Sequence, residues 1–214
     1  MSARKPPSSL GDLAISIEQR EDGLRILEDE VSIAVDFDGV LFEQSRHVRD
    51  LFQEVHGIDP GPVDEWPCEL TEHPPIKDEG LTKEDTWEVF HAVHNDIERH
   101  RDDPLDPDTT TVLAELRAAG HEVEIVTARD PVSREPTRFF LERNEIPHDR
   151  LVMGDNAKTG WDVLVDDLPP HVERVAADGS LGLLHDQPYN RAYETDGNPR
   201  RVASFEELGA LFGH

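Results

Sequence analysis

"VSIAVDFDGVLF", residues 31–42, decides how the rest of the chain is read. Val31 to Val35 are small or β-branched, a short apolar run of the kind that forms a strand buried on both faces. The run ends in two carboxylates one residue apart, Asp36 and Asp38. Side chains of an extended chain alternate with period two, so both acids point to one side. Two like charges held that close disfavour each other's ionisation. A cation, or a reaction that needs a shared proton, resolves the conflict.

Beyond this strand, "SRHVRDLFQEVHG" (45–57) predicts a helix with Val48, Leu51, Phe52 and Val55 on its apolar face and Gly57 at its end. A proline-rich loop follows. "LTKEDTWEVFHAVHNDIERH" (81–100) predicts a second helix, with Thr82 and Asp85 as a capping box. Its apolar stripe is Trp87, Phe90, Val93, His94 and Ile97. After a turn-rich linker the pattern alternates. Helices are expected near 109–120, 133–144, 170–179 and 204–212, and strands near 121–130, 150–155, 161–169 and 181–186. Such alternation implies a parallel α/β sheet of Rossmann-like type with helices on both faces. The helix pair interrupts it and reads as a small helical cap inserted after the first strand. The expected division is a core of 31–43 and 104–214, a cap of 44–103, and a partly flexible segment of 1–30. Within that last segment residues 13–30 fit a helix or two short strands around Gly23 equally well.

The chain has 214 residues, with 47 Asp plus Glu against 21 Lys plus Arg, a formal net charge of -26. So acidic a surface repels nucleic-acid backbone and anionic membrane, which argues against DNA binding. No stretch has the apolar length of a membrane span, and the N-terminus lacks a signal-peptide core, so the expected location is cytoplasmic. Cys68 is the single cysteine, so no internal disulfide can form, and it reads as an apolar filler. The acids are scattered rather than gathered in a tail, and high salt would screen their repulsion. That points to a halophilic protein. It is expected to unfold or lose activity in dilute buffer and to recover at molar salt.

In open parallel sheets, sites form outside the carboxyl ends of the strands. Three such ends carry polar groups: Asp36 and Asp38; Thr127 with Arg129 just beyond; and Asp166 with Asp167. Lys158 lies between the last two. Carboxylate oxygens are the ligands Mg²⁺ prefers, usually alongside phosphate and water. Lys158 and the Thr127 hydroxyl could hold the remaining phosphate oxygens. Arg129 could clamp phosphate or pair with a nearby acid, and the salt bridge is the favoured reading. The cap aromatics read first as packing residues, with the loop residue Trp66 the more interesting case. His91, His94 and His100 have no accompanying ligand motif, so zinc is disfavoured.

"DFDGV" after an apolar strand resembles the first motif of the haloacid dehalogenase-like (HAD) superfamily. "EIVTAR" (124–129) is similar to its second, Lys158 to its third and "VLVDD" (163–167) to its fourth, all in the family's order. The resemblance implies a Mg²⁺-dependent phosphomonoester hydrolase. Asp36 would be the nucleophile that forms an aspartyl-phosphate, and Asp38 the general acid and then base, helped by a modestly raised pKa. Thr127 and Lys158 would bind the phosphoryl group. Asp166 and Asp167 would anchor the metal, with the Asp36 side chain and the Asp38 carbonyl completing its shell. A finer resemblance, in "DVLVDDLPPHV" (162–172) and "LGLLHDQPYN" (181–190), is to the 5'(3')-deoxyribonucleotidase-like branch, which implies a nucleoside monophosphate as the small phosphorylated partner. Aromatic residues could then stack on its base. Phe52, Trp66, Trp87 and Phe90 are available, and Phe52, Trp66 and Arg129 are kept as substrate candidates. The rival expectations are a phosphatase for another phosphoester, such as a sugar phosphate, and a non-catalytic module that binds Mg²⁺ or phosphate.

Overall fold

A computed structural model describes residues 15–20, 23–27, 30–67, 70–101, 103–154, 156–195 and 197–213. Most of the segment expected to be partly flexible, residues 1–14 included, lies outside them, as does Cys68. The open choice at 13–30 resolves as strands: β1 (Ile17–Arg20) and β2 (Gly23–Ile26) form an antiparallel hairpin.

The apolar run becomes β3 (Ser32–Asp36), in which Ile33, Ala34 and Val35 have no exposed surface. With β4 (Glu122–Thr127), β5 (Arg150–Met153), β6 (Val163–Asp166), β7 (Leu181–His185) and β8 (Arg200–Val202) it makes a parallel sheet of order β5-β4-β3-β6-β7-β8. Alternation sends Ile33, Val35, Val123, Ile125, Val163 and Val165 into one core. Helices α5 (Thr109–Ala118), α6 (Arg134–Arg143) and α8 (Phe205–Phe212) cover that core through Leu113, Leu116, Phe140, Phe205 and Leu208. Ala34, Val126 and Leu164 point to the other face, beneath Val175 of α7 (Pro169–Ala177). The chain therefore has the expected α/β architecture, buried on both sheet faces. β8 was not foreseen. Its three residues, two of them arginines, show no apolar alternation and sit at the sheet edge.

Among the described residues four α-helices lie between β3 and α5: α1 (Gln44–His56), α2 (Pro74–Lys77), α3 (Lys83–Asn95) and α4 (Ile97–Arg101). Gly57 ends α1 in the left-handed conformation (φ +68°), and Thr82 with Asp85 makes the predicted capping box on α3. Val48 and Phe52 are buried as expected, whereas Val55 is 62% exposed. The single helix expected over 81–100 breaks at Asp96, whose carboxylate accepts from the amides of Glu98 and Arg99 and so caps a new start. The helix α4 turns back against α6. Among the described residues no helix is long and apolar enough to cross a membrane.

Candidate active site

Three neighbouring strands, β4, β3 and β6, end side by side at the carboxyl edge of the sheet. The chain leaves β3 toward β4 and β5 on one side and returns to β6, β7 and β8 on the other. The crevice between β3 and β6 is thus the switch point of the topology, where such sheets bind ligands. Asp36, Thr127 and Asp166 are the last residues of their strands. They are brought together by register alone.

Asp36, Asp166 and Asp167 are buried, and one carboxylate oxygen from each lies within 4.8 Å of the other two. Lys158 reaches in from the turn after β5. Its Nζ donates to Asp36 Oδ2 at 2.6 Å and lies 2.8 Å from Asp166 Oδ2. One ammonium faces three carboxylates, and the pKa values carry the imbalance. Burial pushes Asp36 well up, against the pull of Lys158, and the neighbouring aspartates push it further. Burial and the charge of Asp166 raise Asp167 to about 7. Asp166 would rise through burial too, but Lys158 and a hydrogen bond from His171 hold it low. Burial works against the Lys158 charge, and Asp36 with Asp166 more than restore it. Hard oxygen donors with a charge deficit of this kind fit a Mg²⁺ ion, so the residues present suit the implied metal.

Asp38 comes to the site by another route. The period-two argument fails after Asp36, because the strand stops there. The amides of Leu41 and Phe42 donate to the Phe37 carbonyl, and Gly39 turns at φ +75°. No side chain fits at Gly39. A Cβ would lie 2.6 Å from the Tyr189 hydroxyl and closer still to Asp167 Oδ2. The Asp38 carboxylate is gripped by Arg129, with Nε to Oδ2 at 2.8 Å and Nη2 to Oδ1 at 2.7 Å, and accepts from Thr127 Oγ1 at 3.3 Å. Burial would raise its pKa, yet the Arg129 charge prevails and holds it below the usual carboxylate range. The expected upward shift is therefore reversed. Arg129 is the salt-bridge partner and is itself buried, so its guanidinium is committed to protein groups.

The carboxylates open on a cavity of about 470 Å³. Asp36, Asp38, Thr127, Lys158 and Asp167 line its floor, and Trp66, Trp87, Phe90, His91 and His94 its helical side. Trp66 is buried and donates from Nε1 to the Pro60 carbonyl, so its ring is fixed. Trp87 is 49% exposed: the helical period placed it on the α3 stripe, but it faces the cavity rather than the core. Phe52 has no exposed surface and belongs to the core, away from the cavity.

Several groups escaped the sequence reading. Tyr189 donates a short hydrogen bond to Asp167 Oδ2. Asn190 Nδ2 donates to the Asp167 carbonyl at 2.8 Å, and Gln187 Nε2 to the Gly39 carbonyl at 2.7 Å. "HDQPYN" thus ties the loop after β6 to the turn after β3. Its polar residues read as an ordinary strand end, and only the contacts give them a purpose.

No family model matches the chain. A protein of Oceanobacillus iheyensis named "Putative nucleotidase OB0422" is 32% identical over 100 residues, 42% of this chain and 53% of that protein. The match therefore spans about half of the relative's length. CbbY from Rhodobacter sphaeroides, solved in complex with phosphate, aligns over 83% of this chain and 96% of its own at 19% identity and TM-score 0.53. A HAD-superfamily hydrolase of subfamily IA from Geobacter sulfurreducens aligns over 86% and 97% at 13% identity and TM-score 0.53. The chain has the HAD-like fold that these structures share.

Proposed function

We propose that this chain, with its HAD-like fold, is a Mg²⁺-dependent phosphomonoesterase that works through an aspartyl-phosphate on Asp36, with a nucleoside monophosphate as substrate. The observation that carries the reading is the convergence of Asp36, Asp166, Asp167 and Lys158 at one sheet edge, beneath a cavity. Asp36 attacks phosphorus. Asp38, held ionised by Arg129 in the free site, takes up a proton when the substrate phosphate brings negative charge beside it, passes that proton to the leaving oxygen and then takes the proton of the attacking water. Thr127 and Lys158 hold the phosphoryl oxygens, and Lys158 offsets their charge. Asp36, Asp166, Asp167 and the Asp38 carbonyl would hold the ion. When bound, magnesium neutralises charge that develops at phosphorus and relieves the repulsion among the carboxylates.

The helices between β3 and α5 act as the cap. Trp66, Trp87 and Phe90 give the cavity a wall on which a planar base can stack, and stacking suits aromatic rings. The name of the Oceanobacillus relative supports the nucleotide over the sugar-phosphate reading. Phosphate release from a panel of nucleoside monophosphates and sugar phosphates, with Mg²⁺ in molar salt, tests this. Turnover on nucleotides that stops with EDTA is expected. Turnover on sugar phosphates alone would overturn the substrate, and none on any phosphoester would overturn the enzyme. Dilution of the same sample to low salt tests the halophilic reading, with reversible loss of activity expected and full activity counting against it.

A further inference from the structure

Arg129 has a second set of partners, on the side away from Asp38. Its Nη1 donates to His100 Nε2 at 2.8 Å and to Thr137 Oγ1 at 3.1 Å. The His100 tautomer follows from its two neighbours. Nδ1 lies 2.7 Å from the Asp96 carbonyl, which can only accept, so Nδ1 carries the proton. Nε2 is then the lone-pair nitrogen, as a guanidinium donor requires. The ring is fully buried and stacks on Phe42 at 4.3 Å and 5°, and the Arg129 guanidinium lies over Phe37 at 4.5 Å and over Phe42 at 5.1 Å. The arginine is thus fixed by two aromatic faces, a threonine and a histidine before it touches Asp38. Burial and the adjacent Arg129 charge keep His100 neutral, with its pKa lowered to about 4.

His100 sits on α4. Asp96, which orients its ring, caps that helix and directly follows α3, the helix whose Trp87, Phe90 and His94 line the cavity.

We infer that His100 is a positioning residue: by accepting from Arg129 it fixes the angle at which Asp38 meets the leaving oxygen, and so couples the helical insertion to proton transfer. The inference rests on the reading in which Asp38 is the proton donor. In that step the bond from Asp36 Oδ to phosphorus forms, the bond from phosphorus to the leaving oxygen breaks, and the proton that Asp38 takes up as the phosphate binds moves to that oxygen. A displaced Asp38 slows this step in proportion to how much the leaving group needs its proton. An alkoxide needs it, and a nitrophenolate leaves without it.

The test compares His100→Phe and His100→Gln with wild type on a nucleoside monophosphate and on p-nitrophenyl phosphate, read as kcat/KM. Phenylalanine keeps the stack on Phe42 and loses the acceptor; glutamine restores an acceptor oxygen. In H100F the value for the nucleotide is expected to fall about tenfold to a hundredfold, part of what general acid catalysis contributes. The value for the aryl ester is expected to fall less than threefold, and H100Q to recover most of the loss. Equal losses on both substrates would overturn the inference, because a loosened fold lowers both alike. No loss on either would overturn it too. Wild type inactive on both substrates would instead sink the phosphatase reading. Should H100F not fold, His100→Asn, an amide one methylene shorter than H100Q, carries the same contrast.

Discussion

Asp36→Asn is expected to abolish turnover and to leave the protein at least as stable as wild type. The amide is a far poorer nucleophile than the carboxylate, and removing a nucleophile typically costs about 10⁴-fold or more in kcat. Stability moves the other way for an electrostatic reason. Asp36 is buried beside two further carboxylates, and its folded-state pKa lies well above the usual range. A group whose pKa is raised on folding costs stability once the pH exceeds that of free aspartate, so a neutral isostere removes the cost. Lys158 keeps a partner in Asp166 at 2.8 Å. Phosphate release with paired chemical denaturation reads both quantities. Retained activity would refute the nucleophile. A marked loss of stability would refute the charge argument.

Arg129→Met is expected to cost about 3–5 kcal/mol, the usual penalty for breaking a buried ion pair and stranding its partner. The Arg129 side chain has no exposed surface and that of Asp38 only 17%. Methionine fills much of the volume over Phe37 and Phe42 but supplies none of the donors to Asp38, His100 and Thr137. Activity falls as well, since Asp38 loses its grip. Arg129→Lys should recover little of either, because a compact ammonium cannot make the bidentate fork. Urea unfolding in molar salt measures the stability change. A loss below about 1 kcal/mol would mean that the pair is only a surface-type contact.

These two residues differ in how far the sequence revealed them. Asp36 stands at the end of an apolar run, and a strand end in a parallel sheet is a place where a site can be anticipated. Thr127 and Asp166 were visible for the same reason, and Lys158 by its place between two such strand ends and in the order of the family's motifs. The role of Arg129 was only half legible. A salt bridge is its favoured reading, but the partner stays hidden, because Asp38 reaches Arg129 only through the turn at Gly39. Tyr189, Gln187 and Asn190 were hidden further, since their partners lie between 22 and 148 positions away. Helical periodicity also misplaced Trp87 and Val55, because period alone does not distinguish a core from a cavity or from solvent.

The linkers on either side of the helical insertion meet at a single carboxylate. Asp103 Oδ2 accepts from the Glu43 amide at 2.7 Å, and Asp103 Oδ1 holds Arg46 and His47. The insertion also rests on the core where Val63–Glu65 meets Pro188–Asn190 and where α3 meets α6, so an exchange leaves the sheet undisturbed only if those surfaces are kept. The seam for such a graft does not lie at Asp103, though. Helix α4 packs on α6 and carries His100 into the core, so Asp96, where the helix breaks, is the natural cutting point. A transplanted α1–α3 segment would then bring a new wall for the cavity, while the recipient kept Ile97–Arg101 as its own.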